Sequence, residues 1–206
     1  MRRRPLAPSL SIAAQLFNAE RPESQLNLGN LYLERGLLDE AEAALTKAME
    51  IDPTFVPAPI TLAEVHRARE QESAAEETLR QALTIVPHSA ELAYALGLSL
   101  VRQKRTQEAL EKLREAAKLA PEQARFSYVA GVALYDTGKP AEGLEVLQAA
   151  LARHPYDRDI LYALASYELQ AGQYSSALQR VELLRKLEPD NRQFEQLQTA
   201  IQSMGP

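Results

Sequence analysis

The sequence predicts an all-α fold of stacked helix pairs. Two observations lead to it. Strong helix formers (Ala, Leu, Glu and Gln) outnumber the β-branched and aromatic residues. The second observation is periodicity: prolines 53, 87, 121, 155 and 189 stand 34 residues apart. Other positions keep that step. Small residues recur at Gly29, Ala63, Gly97, Gly131 and Ala165, and again at Ala41, Ala75, Ala109, Gly143 and Ala177. A third small column holds Ala48, Ala82, Ala116 and Ala150, and a large apolar column holds Leu45, Leu79, Leu113, Leu147 and Val181. Chance does not hold such columns in phase over five periods, so this is a repeat chain.

Taken in order, the first 21 residues open with MRRRP and continue as a short amphipathic helix, about Ser9 to Glu20, with Leu10, Ala13, Leu16 and Phe17 on one side. Arginines ahead of a mildly apolar segment also admit a secretory-signal reading, which Pro5, Pro8, Ser9, Ser11 and Gln15 interrupt. The compartment expected is the cytoplasm, with export to the periplasm as the alternative. Five units follow, at 22–55, 56–89, 90–123, 124–157 and 158–191. Each is two amphipathic segments and a short turn, which Gly36, Gly138 and Gly172 mark in three units. The small columns admit close helix approach, the leucine column fills the space beside it, and proline closes each second helix. Ser73 with Glu76 fits a capping box, and Pro140 suits a first helical position. A lone pair cannot bury its apolar face, so the units must stack into a solenoid. Residues 192–206 read as a capping helix and tail, with Asp190 as N-cap and Phe194, Leu197 and Ile201 facing back.

This pattern resembles the tetratricopeptide repeat family. Leu28, Gly29, Tyr32, Ala41, Leu45, Ala48 and Pro53 follow the family's motif almost completely in the first unit. Later units depart from it at the aromatic column, which reads Tyr32, His66, Leu100, Leu134 and Glu168. The family's early tryptophan is replaced throughout by Gln25, Pro59, Ala93, Ser127 and Leu161, and Leu184 replaces the last small-column alanine, so packing there should be atypical. The resemblance implies a right-handed superhelical solenoid with a flanking N-terminal helix and a C-terminal cap helix. It also implies that the first helices of successive units line a concave, ligand-binding face.

Catalytic chemistry finds no support. The chain has no cysteine, no phosphate-binding glycine loop, no GxSxG and no HExxH; no cofactor or metal is expected. His66 sits in the aromatic column and reads as a packed residue. A net charge of -5 argues against a nucleic-acid partner, and no apolar run is long enough to cross a bilayer. Units one and two carry 12 acidic against 5 basic residues, and the arginine-rich N-terminus either folds onto them or reaches a partner. Arg102, Lys104 and Arg105 form a basic turn read as solvated.

The family's inward positions are the second, fifth, ninth and twelfth of each unit, which share a helix face. In unit three Glu91 is followed by Tyr94, Leu98 and Val101; in unit four they are Arg125, Tyr128, Val132 and Tyr135; in unit five Asp159 is followed by Tyr162, Ser166 and Leu169. The fifth position is thus tyrosine three times running. In units one and two they are Glu23, Leu26, Asn30 and Leu33, then Pro57, Ile60, Glu64 and Arg67, where Pro57 and Pro59 should reshape the first turn. The carboxylate clamp of chaperone-binding members is missing: only Asn30 matches, with Leu26, Thr61, Glu91 and Ala95 at the other places, so heat-shock chaperone tails are disfavoured. The expectation is a non-catalytic scaffold that binds a peptide or protein segment across an aromatic patch of units three to five. The alternatives are that the stripe mediates homo-oligomerisation, or that the tyrosines pack against neighbouring helices of the same chain.

Overall fold

The computed structural model describes residues 21–204; the expected helix at about Ser9 to Glu20 lies outside them. Among the described residues there are eleven helices, which we number α1 (Pro22–Glu34), α2 (Leu38–Ile51), α3 (Pro57–Ala68), α4 (Glu72–Ile85), α5 (Ala90–Arg102), α6 (Thr106–Leu119), α7 (Ala124–Asp136), α8 (Pro140–Arg153), α9 (Arg158–Gln170), α10 (Tyr174–Leu187) and α11 (Arg192–Met204). They form two compact units, one ending at Arg105 and the other beginning at Thr106. No described helix is long and apolar enough to cross a membrane.

The sequence columns explain the helix pairs. A Cβ on Gly29 would lie 2.6 Å from Cγ of Leu45, and one on Gly131 would lie 2.6 Å from Cγ of Leu147. The small residue and the leucine facing it are therefore one packing device, and Leu45, Leu79, Leu113, Leu147 and Val181 are all essentially inaccessible. Every intra-pair turn closes the same way. The amides of Leu37, Gln71, Arg105, Lys139 and Gln173 donate to the carbonyls of Tyr32, His66, Leu100, Leu134 and Glu168 at 2.8–3.0 Å, the six-to-one bond of a Schellman ending. That closure needs a left-handed residue one place earlier. Gly36, Gly138 and Gly172 supply it, and Glu70 (φ 60°) and Lys104 (φ 61°) adopt it without being glycine.

In the first unit, Ala41, Leu45, Leu62 and Val65 form a buried cluster with Leu26, Tyr32 and Leu33 against it. Charge ties successive pairs together: Arg69 reaches Glu42 and, at 2.6 Å, Asp39. The basic turn is not merely solvated. Arg102 donates to Glu72 at 3.0 Å, and Arg105 donates to Glu76 at 2.6 Å. The Ser73–Glu76 capping box does not form. Helix α4 begins at Glu72 with Gln71 at its N-cap and no side-chain cap bond, and the Glu76 carboxylate accepts from Arg80, Gln103 and Arg105 instead. Burial opposes ionisation of Glu76, but these donors together hold its carboxyl below the usual range. His66 is half-buried in its column and its Nδ1 has no hydrogen-bond partner.

In the second unit, Leu147, Ala150, Ile160, Ala163 and Leu164 are the principal cluster. Pro140 is the first residue of α8. Leu184, where earlier units have alanine, is fully buried with Leu161 under Phe194 of the cap helix α11. Phe194 and Ile201 of α11 are buried and Leu197 packs beside them. Asp190 is not its N-cap: Asn191 is, with Oδ1 accepting from the Gln193 amide at 3.0 Å and the Phe194 amide donating to its carbonyl at 3.1 Å. The helix starts at Arg192, as the sequence pattern suggested, and only its cap differs.

Candidate interaction surface

Helices α7 and α9 of the second unit carry a cluster of tyrosines. The rings of Tyr135 and Tyr167 stack with centroids 3.6 Å apart and an interplanar angle of 9°. Their polar tips interlock as well: the Tyr167 hydroxyl donates to Oδ1 of Asp136 at 3.2 Å, and the Tyr135 hydroxyl donates to the Tyr167 carbonyl at 3.5 Å. Tyr128 and Val132, half-buried on α7, pack with Tyr167 against the Leu147–Leu164 cluster. Burial pushes the Tyr128 phenol up, helped by the Asp159, Asp136 and Asp157 carboxylates. The Tyr167 phenol is pushed up further, by burial first, then by Asp136, Tyr128 and Tyr135. Both phenols therefore stay neutral at physiological pH, as hydrogen-bonding rings rather than anions.

The residues singled out from the sequence fall into distinct settings. Arg125 is exposed in the first turn of α7, three residues before Tyr128. Tyr128, Val132 and Tyr135 are brought together. Tyr162 is 41% exposed and leans on Phe194 of α11, with centroids 6.1 Å apart. Ser166 is half-buried, and Leu169 packs against the Ala165, Ala177, Val181 and Ile201 cluster. In the first unit, Tyr94 and Leu98 of α5 are half-buried and Val101 is 49% exposed. The inner positions of α1 and α3 are more polar, and Arg67 and Glu64 on α3 pair with each other at 2.5 Å.

Sequence reasoning missed Tyr167 and Asp136. Tyr167 is the tenth residue of its unit, outside the expected inner positions. The signal was present in its column, which runs Leu31, Val65, Ser99, Ala133 and Tyr167 and turns aromatic only there. Among the described residues no group of three His, Asp or Glu side chains is placed to hold a metal ion.

Two family models, both described as Tetratricopeptide repeat, match the chain, one over 7–54 and 94–158 and the other over 32–98 and 134–201. No curated protein sequence matches significantly. Among solved structures, the chain is similar to Pseudomonas aeruginosa PilF, with 28% identity, 90% of this chain and 85% of that chain covered, and a TM-score of 0.73. It is also similar to YrrB, reported as a TPR protein with an unusual peptide-binding site, at 23% identity with 94% and 100% covered and a TM-score of 0.64. The Thermus thermophilus protein TTC0263 aligns at 21% identity, 88% and 99% coverage and a TM-score of 0.60. These likenesses extend over nearly the whole of each chain.

Proposed function

The chain belongs to the tetratricopeptide repeat family, and from that premise we propose that it is a non-catalytic interaction scaffold that binds a peptide or protein segment on its inner aromatic surface. The observation that carries this reading is the α7/α9 cluster. Tyr128, Tyr135 and Tyr167 are only half-buried, yet Tyr135 and Tyr167 are locked by stacking and by Asp136, and Tyr128 is packed beside them on the Leu147–Leu164 cluster. Rigid aromatic rings with polar tips bind at low conformational cost and are common interface hot spots. Tyr162, exposed beside the cap helix, and the separate α5 stripe of Tyr94, Leu98 and Val101 offer further apolar contact. Arg125 supplies the cation for a carboxylate of the bound segment. That YrrB is described as peptide-binding is consistent with this use of the fold.

The test pairs capture from source lysate with a double variant. Tyr128→Ala with Tyr162→Ala should lose specific partners that the wild type recovers, with affinity lower by about 1–2 kcal/mol or more and helicity retained by circular dichroism. Recovery of the same proteins by both defeats the assignment. Sedimentation at micromolar concentration runs alongside, because a self-association abolished by the double variant would make the stripe a homo-oligomer contact instead.

A further inference from the structure

A groove of about 440 Å³ lies on a different face of α7, between the second helices α6 and α8. Its floor is made of Ala117, Ser127, Ala130, Ala149 and Ala150, with Val146 at the side. The repeat itself explains why it is open. One period later, the positions equivalent to Ala117, Ser127, Ala130 and Ala149 are Leu151, Leu161, Leu164 and Leu183. Those four leucines fill the corresponding space between α8 and α10. Leu161 and Leu164 are completely buried, and Leu151 and Leu183 pack against Leu161, Leu184 and Phe194. Between α6 and α8 the same backbone arrangement carries only methyl and hydroxymethyl side chains, so a hollow is left, with Ala149 exposed and Ala117 half-buried at its surface and Ala130 and Ala150 buried beneath them.

Two further observations give the hollow a chemistry. Ser127 is only 7% exposed and places a hydroxyl among the methyl groups of the floor. At the mouth, Arg114 is neutralised by Glu142 at 2.6 Å. Lys118 and Arg153, exposed on either side, have no carboxylate partner among the described residues; Arg153 donates only to the Ala149 carbonyl, at 3.2 Å. Glu145 is the one carboxylate of the lining outside the Arg114 pair. Lys118 and Arg153 outnumber Glu145, so the balance of charge at the rim is positive, over an apolar floor that carries the Ser127 hydroxyl.

We propose that this groove is a second binding site, which takes a leucine-sized side chain from an acidic partner segment, with a neighbouring carboxylate of that segment held by Lys118 and Arg153. The side chain occupies the volume that Leu164 and its neighbours fill in the next pair, and Ser127 offers its hydroxyl to the segment's backbone. Unpaired cations beside an apolar hollow select an anionic segment over a basic one through electrostatic complementarity. The site stands apart from the aromatic surface and does not depend on it.

N-acetyl-leucine, which joins the side chain to a carboxylate, is the probe, and N-acetyl-leucinamide is its uncharged counterpart. A fragment of this size binds with a Kd on the order of millimolar, so amide chemical shifts of the labelled full-length chain are the readout. Saturable shifts are expected at Ala117, Ala130 and Ala149, with the acid binding several-fold tighter than the amide. Ala130→Leu restores the residue of the other units and should abolish the shifts without lowering the Tm. Lys118→Gln with Arg153→Gln should erase the preference for the acid while the amide still binds. Absence of shifts there up to tens of millimolar, or shifts that survive Ala130→Leu, overturns the site; equal binding of acid and amide to the wild type overturns the acidic class.

Discussion

The fourth and fifth helix pairs, α7/α8 and α9/α10, share one repeat pattern and fill it differently. In α7/α8 the helices meet through two glycines, so close that a Cβ on Gly143 would sit 2.6 Å from the Gly131 carbonyl oxygen. That pair buries Leu134 at its turn and leaves Ser127 and Ala130 beneath an open groove. In α9/α10 the equivalents are Ala165 and Ala177, the outer junction is filled with leucine, and the position of Leu134 is taken by Glu168, 1% exposed. Arg180 approaches Glu168 to 3.6 Å, but Oε2 of the carboxylate and Nε of Arg180 are both buried without hydrogen-bond partners. The same frame thus leaves an open groove in one pair and places a poorly satisfied ion pair in the other. Surface and stability are distributed along the chain by side-chain volume, with the backbone pattern held constant.

Five variants break or sharpen that contrast. Leu164→Ala, which reproduces Ala130 one period later, should cost about 2–5 kcal/mol in urea-induced unfolding; a loss below about 1 kcal/mol would mean that the filled junction contributes little to the core. Glu168→Leu combined with Arg180→Val, which copies Leu134 and Val146 of the preceding pair and removes both charges together, should be neutral or stabilise by up to about 4 kcal/mol, read from the same unfolding curves. The pH dependence at Glu168 has a definite sign. Burial raises the Glu168 carboxyl above its ordinary value, with Arg180 opposing, so its contribution is fully present below the unfolded-state pKa and is lost as pH rises through the folded one. The wild type should therefore gain on Glu168→Gln as pH falls from neutrality into the acid range, and a constant gap between the two would contradict the raised value. Gly143→Ala should cost about 1–3 kcal/mol, because the new methyl meets backbone atoms, Gly131 O at 2.6 Å and Tyr135 N at 2.8 Å, that no side-chain rotation relieves. At Ala177, the equivalent position in α10, a methyl is already accommodated at 0% exposure. The smallest effect is expected from Tyr167→Phe, which deletes the bond to Asp136 and keeps the Tyr135 stack: about 0.5–1.5 kcal/mol, seen as a small fall in Tm.

Much of this was legible in the sequence, and the failures have physical reasons. The small and leucine columns report packing between adjacent helices, which repeats with the chain, so their spacing fixed the pairs. Caps are local competitions, and spacing alone did not decide them. Glu76 satisfied the capping-box pattern, yet Gln103 and Arg105 of the following turn drew its carboxylate into longer-range bonds. Asn191 prevailed over Asp190 as the residue whose side chain meets the first amides of α11. Left-handed turn residues were visible only where glycine marked them, although Glu70 and Lys104 take the same conformation. The aromatic surface was half visible: Tyr128 and Tyr135 follow the inner spacing, whereas Tyr167 reaches the cluster by stacking from outside it. The groove was written in the run Leu28, Leu62, Leu96, Ala130 and Leu164, but one alanine among leucines reads as conservative until the missing volume has a place.

The turn bond that recurs at each helix pair also bears on how the chain acquires its structure. Because it joins residues only five apart, each pair can close without waiting for distant segments, and order can spread from neighbour to neighbour in the manner of a one-dimensional lattice. Such a front is slowed wherever the local step is uphill. An L-residue resists the left-handed region by about 1–2 kcal/mol, and the turns at Glu70 and Lys104 require it. Those two turns are the expected pauses of the folding reaction, and replacing either residue with glycine would smooth the path of the front.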